Sequence, residues 1–433
     1  MLHRNQPQLT FVEGEPERPA FTASDTPFSI CPKHHVGRGL QIRASIAPDS
    51  KVGMQPIYLD YAATTRVRPE VKEAMLPFMD EIFGNASSVH RWGREAKVKL
   101  EEARARLAAL LGASPTEIIF TRGGTEADNL AIFGRTRAVP GGIACSAIEH
   151  RAVLLAAKAA AGEDRELHLL EIDHTGTVQP GSIDAALKKQ LAVVSVMWTN
   201  NEIGAVQPIA EIARRCAAAD VVFHTDAVQA FGKLPVRVDE VPVSLLSMSA
   251  HKIGGPKGVG ALYVRKGTKI SPMIHGGGHE RGLRAGTEDV AGAVGFATAA
   301  ELAISERDAE MNRLQKLRDK LEFALLERVP ELIVNAAGAE RLPTLLNVSV
   351  PGANSEMMLV MLDMEGIAAS SGSACSSGGV NPSHVLTTMG LAPDVAGPSV
   401  RFSLGKETTE AEIDRVITIF PPLMQKLRQK ALI

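Results

Sequence analysis

The sequence predicts an α/β protein, built on a mostly parallel sheet with helices on both faces and joined to a smaller α+β region. Three observations carry that reading. From about residue 90 to 300, short apolar runs alternate with helical patterns, the order that crossover helices impose on parallel strands. Polar or glycine-rich turns bound each run. After about residue 306 the alternation gives way to one long amphipathic stretch and a few strand-like runs. The 433 residues are 45% hydrophobic, enough for a large core and more than one domain.

The elements follow in order. Residues 1–55 include "EGEPERPAFTASDTPFSICPKHH", rich in proline and polar residues and without a period, so this extension is expected to be disordered. It lacks the apolar stretch of a secretory signal, and its acidic residues and prolines fit a transit peptide poorly. Met54 stands just before the first strand-like run, "IYLDYAATT". Residues 56–65 are expected to join the smaller domain, 66–305 to form the large domain, and 306–433 the small one. "REAKVKLEEARARLAALLG" spaces Val98, Leu100, Ala103, Leu107, Leu110 and Leu111 as a helix face, with Gly112 placed to end it. "EIIFT", "LAVVSVMW", "VVFHTD" and "VSLLSMS" read as buried strands, and "IAEIARRCAAA" as a helix between two of them. "RDAEMNRLQKLRDKLEFALLERV" opens the small domain as an amphipathic helix, followed by "TLLNVSV", "SVRFSLG" and a final helix.

A formal net charge of −2 argues against nucleic acid or an anionic membrane as the main partner, and no apolar run reaches the roughly 20 residues of a membrane span. Cys31, Cys145, Cys216 and Cys375 are far apart with no CxxC pair, which suggests neither a disulfide framework nor a zinc site. A reducing, cytoplasmic compartment is expected.

Chemistry in such a sheet belongs beyond the carboxyl ends of the strands. In "FTRGGTEADNLAI" two glycines turn a strand into a helix opened by Thr125, which suits a phosphate, although an ordinary capped turn reads the same way. In "VVFHTDAVQAFG" Asp226 ends a buried strand, with Gln229 one helical turn later; a carboxylate there wants a cation, or caps a helix. In "LLSMSAHKIGGPKGVGALYV" Ser249, His251 and Lys252 follow a strand, and a lysine so held is suited to forming an imine with an aldehyde. Lys257, in the turn itself, reads better as a solvated residue. His150, in "SAIEHRAVLLAA", could project over an aromatic ring or simply cap a helix. "SSGSACSSGG", residues 370–379, sets Cys375 among small residues that offer almost nothing to pack against, as an exposed loop with one soft nucleophile or an incidental thiol. A phosphate turn, an aspartate for a ring nitrogen and an imine lysine are together the parts of a pyridoxal phosphate site.

In these motifs, and in "YLDYAATT", "FGNASSVHRWGREA", "NNEIGAVQPI", "HGGGHERGLRAGT" and "VRFSLG", the chain resembles the cysteine desulfurases of the NifS/IscS type, class V aminotransferases within the fold-type I pyridoxal phosphate enzymes. The likeness runs from residue 56 nearly to the end. It implies Lys252 as the lysine joined to the cofactor and His150 as the residue stacked on its ring. Asp226 would hold the ring nitrogen, and Gln229 and Asn201 the side of the ring hydroxyl. Gly124, Thr125, Ser249 and His251 would hold the phosphate, with Thr287 reaching it from the second subunit of a homodimer. Arg401 would bind the carboxylate of L-cysteine, and Cys375 would take the sulfur as a persulfide, leaving L-alanine. The resemblance further implies delivery to an iron–sulfur scaffold or another acceptor protein, with transient iron–sulfur ligation through the Cys375 persulfide. A selenocysteine lyase or a class V aminotransferase is the alternative, the latter having no need of Cys375. Two departures stand out. Arg122 replaces the usual serine or threonine before the glycine turn, either tightening the phosphate or pointing outward. The chain ends at "QKLRQKALI", short of the tail that IscS-type enzymes use on the scaffold, which leaves the acceptor open.

Overall fold

The computed structural model describes residues 55–371 and 382–430. The expected extension, but for Gln55, and the loop bearing Cys375 lie outside the described residues. The first strand, β1 (Ile57–Tyr58), precedes a seven-stranded sheet of β2 (Ile118–Thr121), β3 (Gly142–Ser146), β4 (Leu167–Leu170), β5 (Leu191–Ser195), β6 (Val222–Asp226), β7 (Leu245–Ser249) and β8 (Gly260–Val264). Its order is β2-β8-β7-β6-β5-β3-β4. Only β8 runs against the rest, pairing antiparallel with both β2 and β7. The other six point one way, so their carboxyl ends share one edge.

These strands form because their residues are apolar on both faces. Every residue of β2, β3, β7 and β8 is buried, as a sheet covered by helices on two sides requires. The helix Arg91–Leu111 turns Ala96, Leu100, Ala103, Leu107 and Leu111 to the core, each leucine contributing roughly 2 kcal/mol by burial. Val98, expected on that face, is 54% exposed, because it falls between the buried rows at 96 and 100. Gly112 ends this helix at φ 75°, and a Cβ there would strike the Asp239 carboxylate. After Asp226 the chain makes a single helical turn, in which Phe231 N–H donates to the Ala227 carbonyl. Gln229 is buried beside Asp226's strand.

A second core gathers β9 (Ile333–Val334), β10 (Leu345–Ser349), β11 (Ile367–Ala368), β12 (Ser399–Ser403) and the helix Glu410–Lys430. β1 pairs parallel with β11, so the first described strand belongs here. Residues 59–68 then cross to the large sheet, where Thr65 N–H donates to the His251 carbonyl and Arg68 N–H to that of Gly254. The long amphipathic helix begins earlier than the pattern suggested. It spans Val290–Arg328, with Val290–Ala300 in the first core and Leu314–Leu325 in the second. The expected boundary at 305/306 falls inside it.

Candidate active site at the carboxyl edge of the sheet

Three strand ends meet at the crossing segment 59–68. Lys252 closes the short 3-10 turn after β7, and its Nζ donates to the carbonyls of Ala62 at 2.6 Å and Ala63 at 2.8 Å. Gln229 Nε2 donates to the same Ala62 carbonyl at 2.9 Å. Lys233 Nζ donates to Gln229 Oε1 at 2.9 Å, which fixes which end of the amide faces Ala62. The Lys233 ammonium is pushed down to about 7 by burial, with Lys252 and Arg401 adding repulsion. Lys257 is exposed in the turn. A cavity of about 280 Å³ borders Lys252 and Lys233 on the side of Tyr61, Arg68 and Leu404; Asp226 and Ser249 do not line it.

Asp226 ends β6 with 5% exposure and accepts from Val228 N–H at 2.9 Å. Burial raises its pKa, opposed by His150 and Lys252. His150 caps the helix Arg151–Ala161, its Nδ1 accepting from Ala152 N–H at 3.1 Å. One ligating atom each of Asp128, His150 and Asp226 lies within 4.8 Å of the others. Asp128 and Glu149 are both buried carboxyls beside Asp226 whose pKa values burial raises well above the usual range.

The helix Gly124–Ala138 starts after β2 with no side chain capping it, and Gly123 holds φ 127° with open space where a Cβ would be. Ser249 faces this start: a Cβ on Gly124 would lie 3.7 Å from that of Ser249. The Ser249 Oγ is buried and has no hydrogen-bonding partner among the described residues. An uncapped helix N-terminus with a spare hydroxyl makes an anion cradle. His251 Nδ1 pairs with Thr64 Oγ1 at 3.1 Å, and burial with the cations of Lys252, Lys257 and Lys233 pushes its pKa down to about 4.

Arg401, on β12 and 3% exposed, comes from the second core. It donates to the Asn201 carbonyl at 2.8 Å and to Asp60 Oδ1 at 2.7 Å, while its buried Nε has no partner among the described residues. Asn201 enters through its backbone. Thr287 is exposed on the loop before the long helix, and its hydroxyl has no partner among the described residues. Arg284 Nε pins that loop to Glu126 at 2.8 Å. Arg122 also turns to it, pairing with Asp289 at 2.9 Å, and so is spent on the loop rather than on the cradle.

Cys375 lies outside the described residues, but both flanks of its segment are held at the site. Ser370 exchanges backbone hydrogen bonds with Arg401 at 3.2 and 2.6 Å. On the other flank Ser383 donates to Glu202, and His384 Nε2 sits 3.1 Å from the Glu149 carbonyl. Sequence reasoning missed Asp60, Asp128, Glu149 and Lys233. Asp60 sits inside the quoted "YLDYAATT" and Lys233 four residues after Gln229, yet only the fold shows what they face.

A lysine, a buried aspartate and an anion cradle on one sheet edge, with an arginine reaching over from a second core, define an α/β enzyme of the transferase type. Residues 57–416 match the model of the family Aminotransferase class-V. The chain is 46% identical over 375 residues to "Cysteine desulfurase IscS" of Dictyoglomus turgidum, covering 86% of this chain and 95% of that protein. A solved "NifS-like protein" superposes with TM-score 0.79 at 35% identity, covering 87% of this chain and 99% of that one. The structure described as "SspA in complex with cysteine" superposes with TM-score 0.71 at 34% identity, covering 80% and 98%. The chain belongs to the class-V aminotransferase family and, within it, to the cysteine desulfurases.

Proposed function

We propose that the protein converts L-cysteine to L-alanine, taking the sulfur onto Cys375, with pyridoxal phosphate at the sheet edge. One observation carries this: both flanks of the Cys375 segment are tied beside Arg401 and Glu149, at the mouth of the site that Lys252 and Asp226 form. The residues fit the cofactor. The uncapped start at Gly124 and Thr125 and the unpartnered Ser249 Oγ suit its phosphate, with His251 beside them. Asp226 suits its ring nitrogen, Gln229 and Asn201 its hydroxyl side, His150 its ring face and Lys252 its aldehyde. When bound, the cofactor supplies that aldehyde and an electron-withdrawing ring.

The chain's own residues do the rest. Arg401 orients the substrate carboxylate, its unpartnered Nε providing a second donor. Lys252 Nζ takes the proton from the substrate Cα, and Asp226 would hold a proton on the ring nitrogen by its negative charge. The Cys375 thiolate attacks the substrate sulfur; an S–S bond forms as the substrate's C–S bond breaks. Cys375 then passes the persulfide to an acceptor protein, of which an iron–sulfur scaffold is one chemical type, with transient iron–sulfur ligation at Cys375. Thr287, exposed on a pinned loop, reads as a contribution to a second copy's phosphate, hence a homodimer. The second core with the Cys375 segment reads as the small domain. A cytoplasmic setting keeps the thiol reduced. No described helix is long and apolar enough to cross a membrane.

The test is incubation of the full chain with pyridoxal phosphate and L-cysteine. Alanine and one persulfide on Cys375 are expected in equal amounts before an acceptor is added. Alanine without any persulfide would overturn the sulfur-acceptor role, and neither product would overturn the whole reading.

A further inference from the structure

We propose that Asp128 is a positioning residue of this site: of the Asp128–Asp226 pair, it carries the proton and leaves Asp226 as the charged member. The inference rests on reading Asp226 as the partner of a cationic ring nitrogen. The two carboxyls are almost wholly buried, at 1% and 5% exposure, with ligating oxygens within 4.8 Å. Two carboxylates that close and that dry cannot both ionise. The question is which one keeps the proton, and their neighbours decide it.

Asp226 faces His150 and Lys252, and accepts a backbone N–H from Val228. Each favours a charge on it. Asp128 sits on the first turns of the Gly124–Ala138 helix and faces Asp226, Glu149 and His224. Glu149 offers it only further negative charge. His224 offers no cation, since its Nδ1 is 2.8 Å from Ser195 Oγ, its Nε2 is 3.0 Å from Ser247 Oγ, and burial pushes its pKa down to about 3. Its Nε2 stands 3.7 Å from Asp128 Oδ1, too far for a hydrogen bond. The Ser247 hydroxyl gives Asp128 some relief, but Oδ1 has no hydrogen-bonding partner among the described residues. A proton on Asp128 removes the repulsion without cancelling the charge that Asp226 needs. The acid therefore behaves as a neutral polar group, and an amide of the same shape should replace it.

The test compares Asp128→Asn and Asp128→Ala in the full chain. Without added cofactor, wild-type stability should fall as pH rises from about 5 to 9, because the native state holds a proton that the unfolded carboxyl has lost. Asp128→Asn should lessen that fall, the remainder belonging to Glu149. An unchanged slope would overturn the proposal. With pyridoxal phosphate titrated by absorbance, Asp128→Ala should weaken binding about tenfold and Asp128→Asn should restore it to within about threefold. Equal loss in both variants would mean that Asp128 acts as an anion and would overturn it too. Asp226→Asn separates the underlying reading: cofactor bound with wild-type affinity and spectrum would defeat the ring-nitrogen role, while the pH slope would still report where the shared proton sits.

Discussion

The two ends of the site are electrostatic opposites. At the strand ends of β3 and β6, Asp128, Glu149 and Asp226 are buried together with a neutral His224. At the other end, Lys252 donates to the carbonyls of the segment 60–63, Lys233 stands behind it on Gln229, and Arg401 pairs with Asp60. Burial pushes Asp128 and Glu149 toward their protonated forms and His224 and Lys233 toward their neutral ones, so both ends hold less charge than their residue types suggest. A site poised this way gains charge balance when it closes on molecules that bring a cation to one end and anions to the other. Pyridoxal phosphate with an amino acid does both.

The contrast can be broken at the basic end first. Lys252→Ala should remove the visible absorbance of bound cofactor and lower desulfurase turnover by about a thousandfold or more, whereas Lys257→Ala, at an exposed position, should leave both unchanged. Absorbance of the purified variants checks this directly. Persistence of the band in Lys252→Ala would move the role elsewhere.

Cys375→Ser should leave cofactor loading and L-cysteine binding intact but abolish alanine and persulfide formation, because a hydroxyl at neutral pH is neither ionised nor soft. Spectral titration with L-cysteine beside an alanine assay separates the two. Undiminished alanine would assign sulfur transfer to another group.

A smaller effect is expected from Arg401→Gln. Loss of the guanidinium should raise KM for L-cysteine by about ten- to a hundredfold with a lesser change in kcat, and unpairing Asp60 should cost about 1–3 kcal/mol of stability. Asp60→Asn serves as the control: it should repeat part of the stability loss without the same rise in KM. Matching KM values in the two variants would mean that the pair is structural.

The least effect sharpens the comparison. Lys233 is charged when unfolded up to about pH 10. In the fold it loses its proton near 7, so its burial penalty is full below pH 7 and is relieved as pH climbs above it. Lys233→Met should remove that rise, which amounts to about 1 kcal/mol between pH 7 and 8, in thermal or denaturant unfolding of the cofactor-free chain. This slope is opposite in sign to the one expected from the acidic end. Finding the same sign at both ends would end the contrast.

Much of this was legible in the residues alone. Alternation of apolar runs and helical periods specified a parallel sheet, since a crossover helix is the ordinary way to join parallel strands. Lys252 and Asp226 stood out because each follows an apolar run directly, and a strand end in such a sheet is where polar groups reach the cleft. The helix from 307 was visible, but its start at Val290 was not: "VAGAVGFATAA" is apolar all round and shows no stripe until the helix leaves the first core.

What only the tertiary structure decided is which of these groups face one another. Arg401 and Asp60 are 341 residues apart, and Ala62 and Lys252 are 190. Asp128 looks like an ordinary polar residue in the first turns of a helix, and becomes one half of a buried carboxyl pair only when β6 lies beside that helix. Local pattern governs where strands and helices form because backbone geometry repeats every two or 3.6 residues. Charge state follows from burial and from neighbours brought in by the chain's return, and no period in the sequence records that.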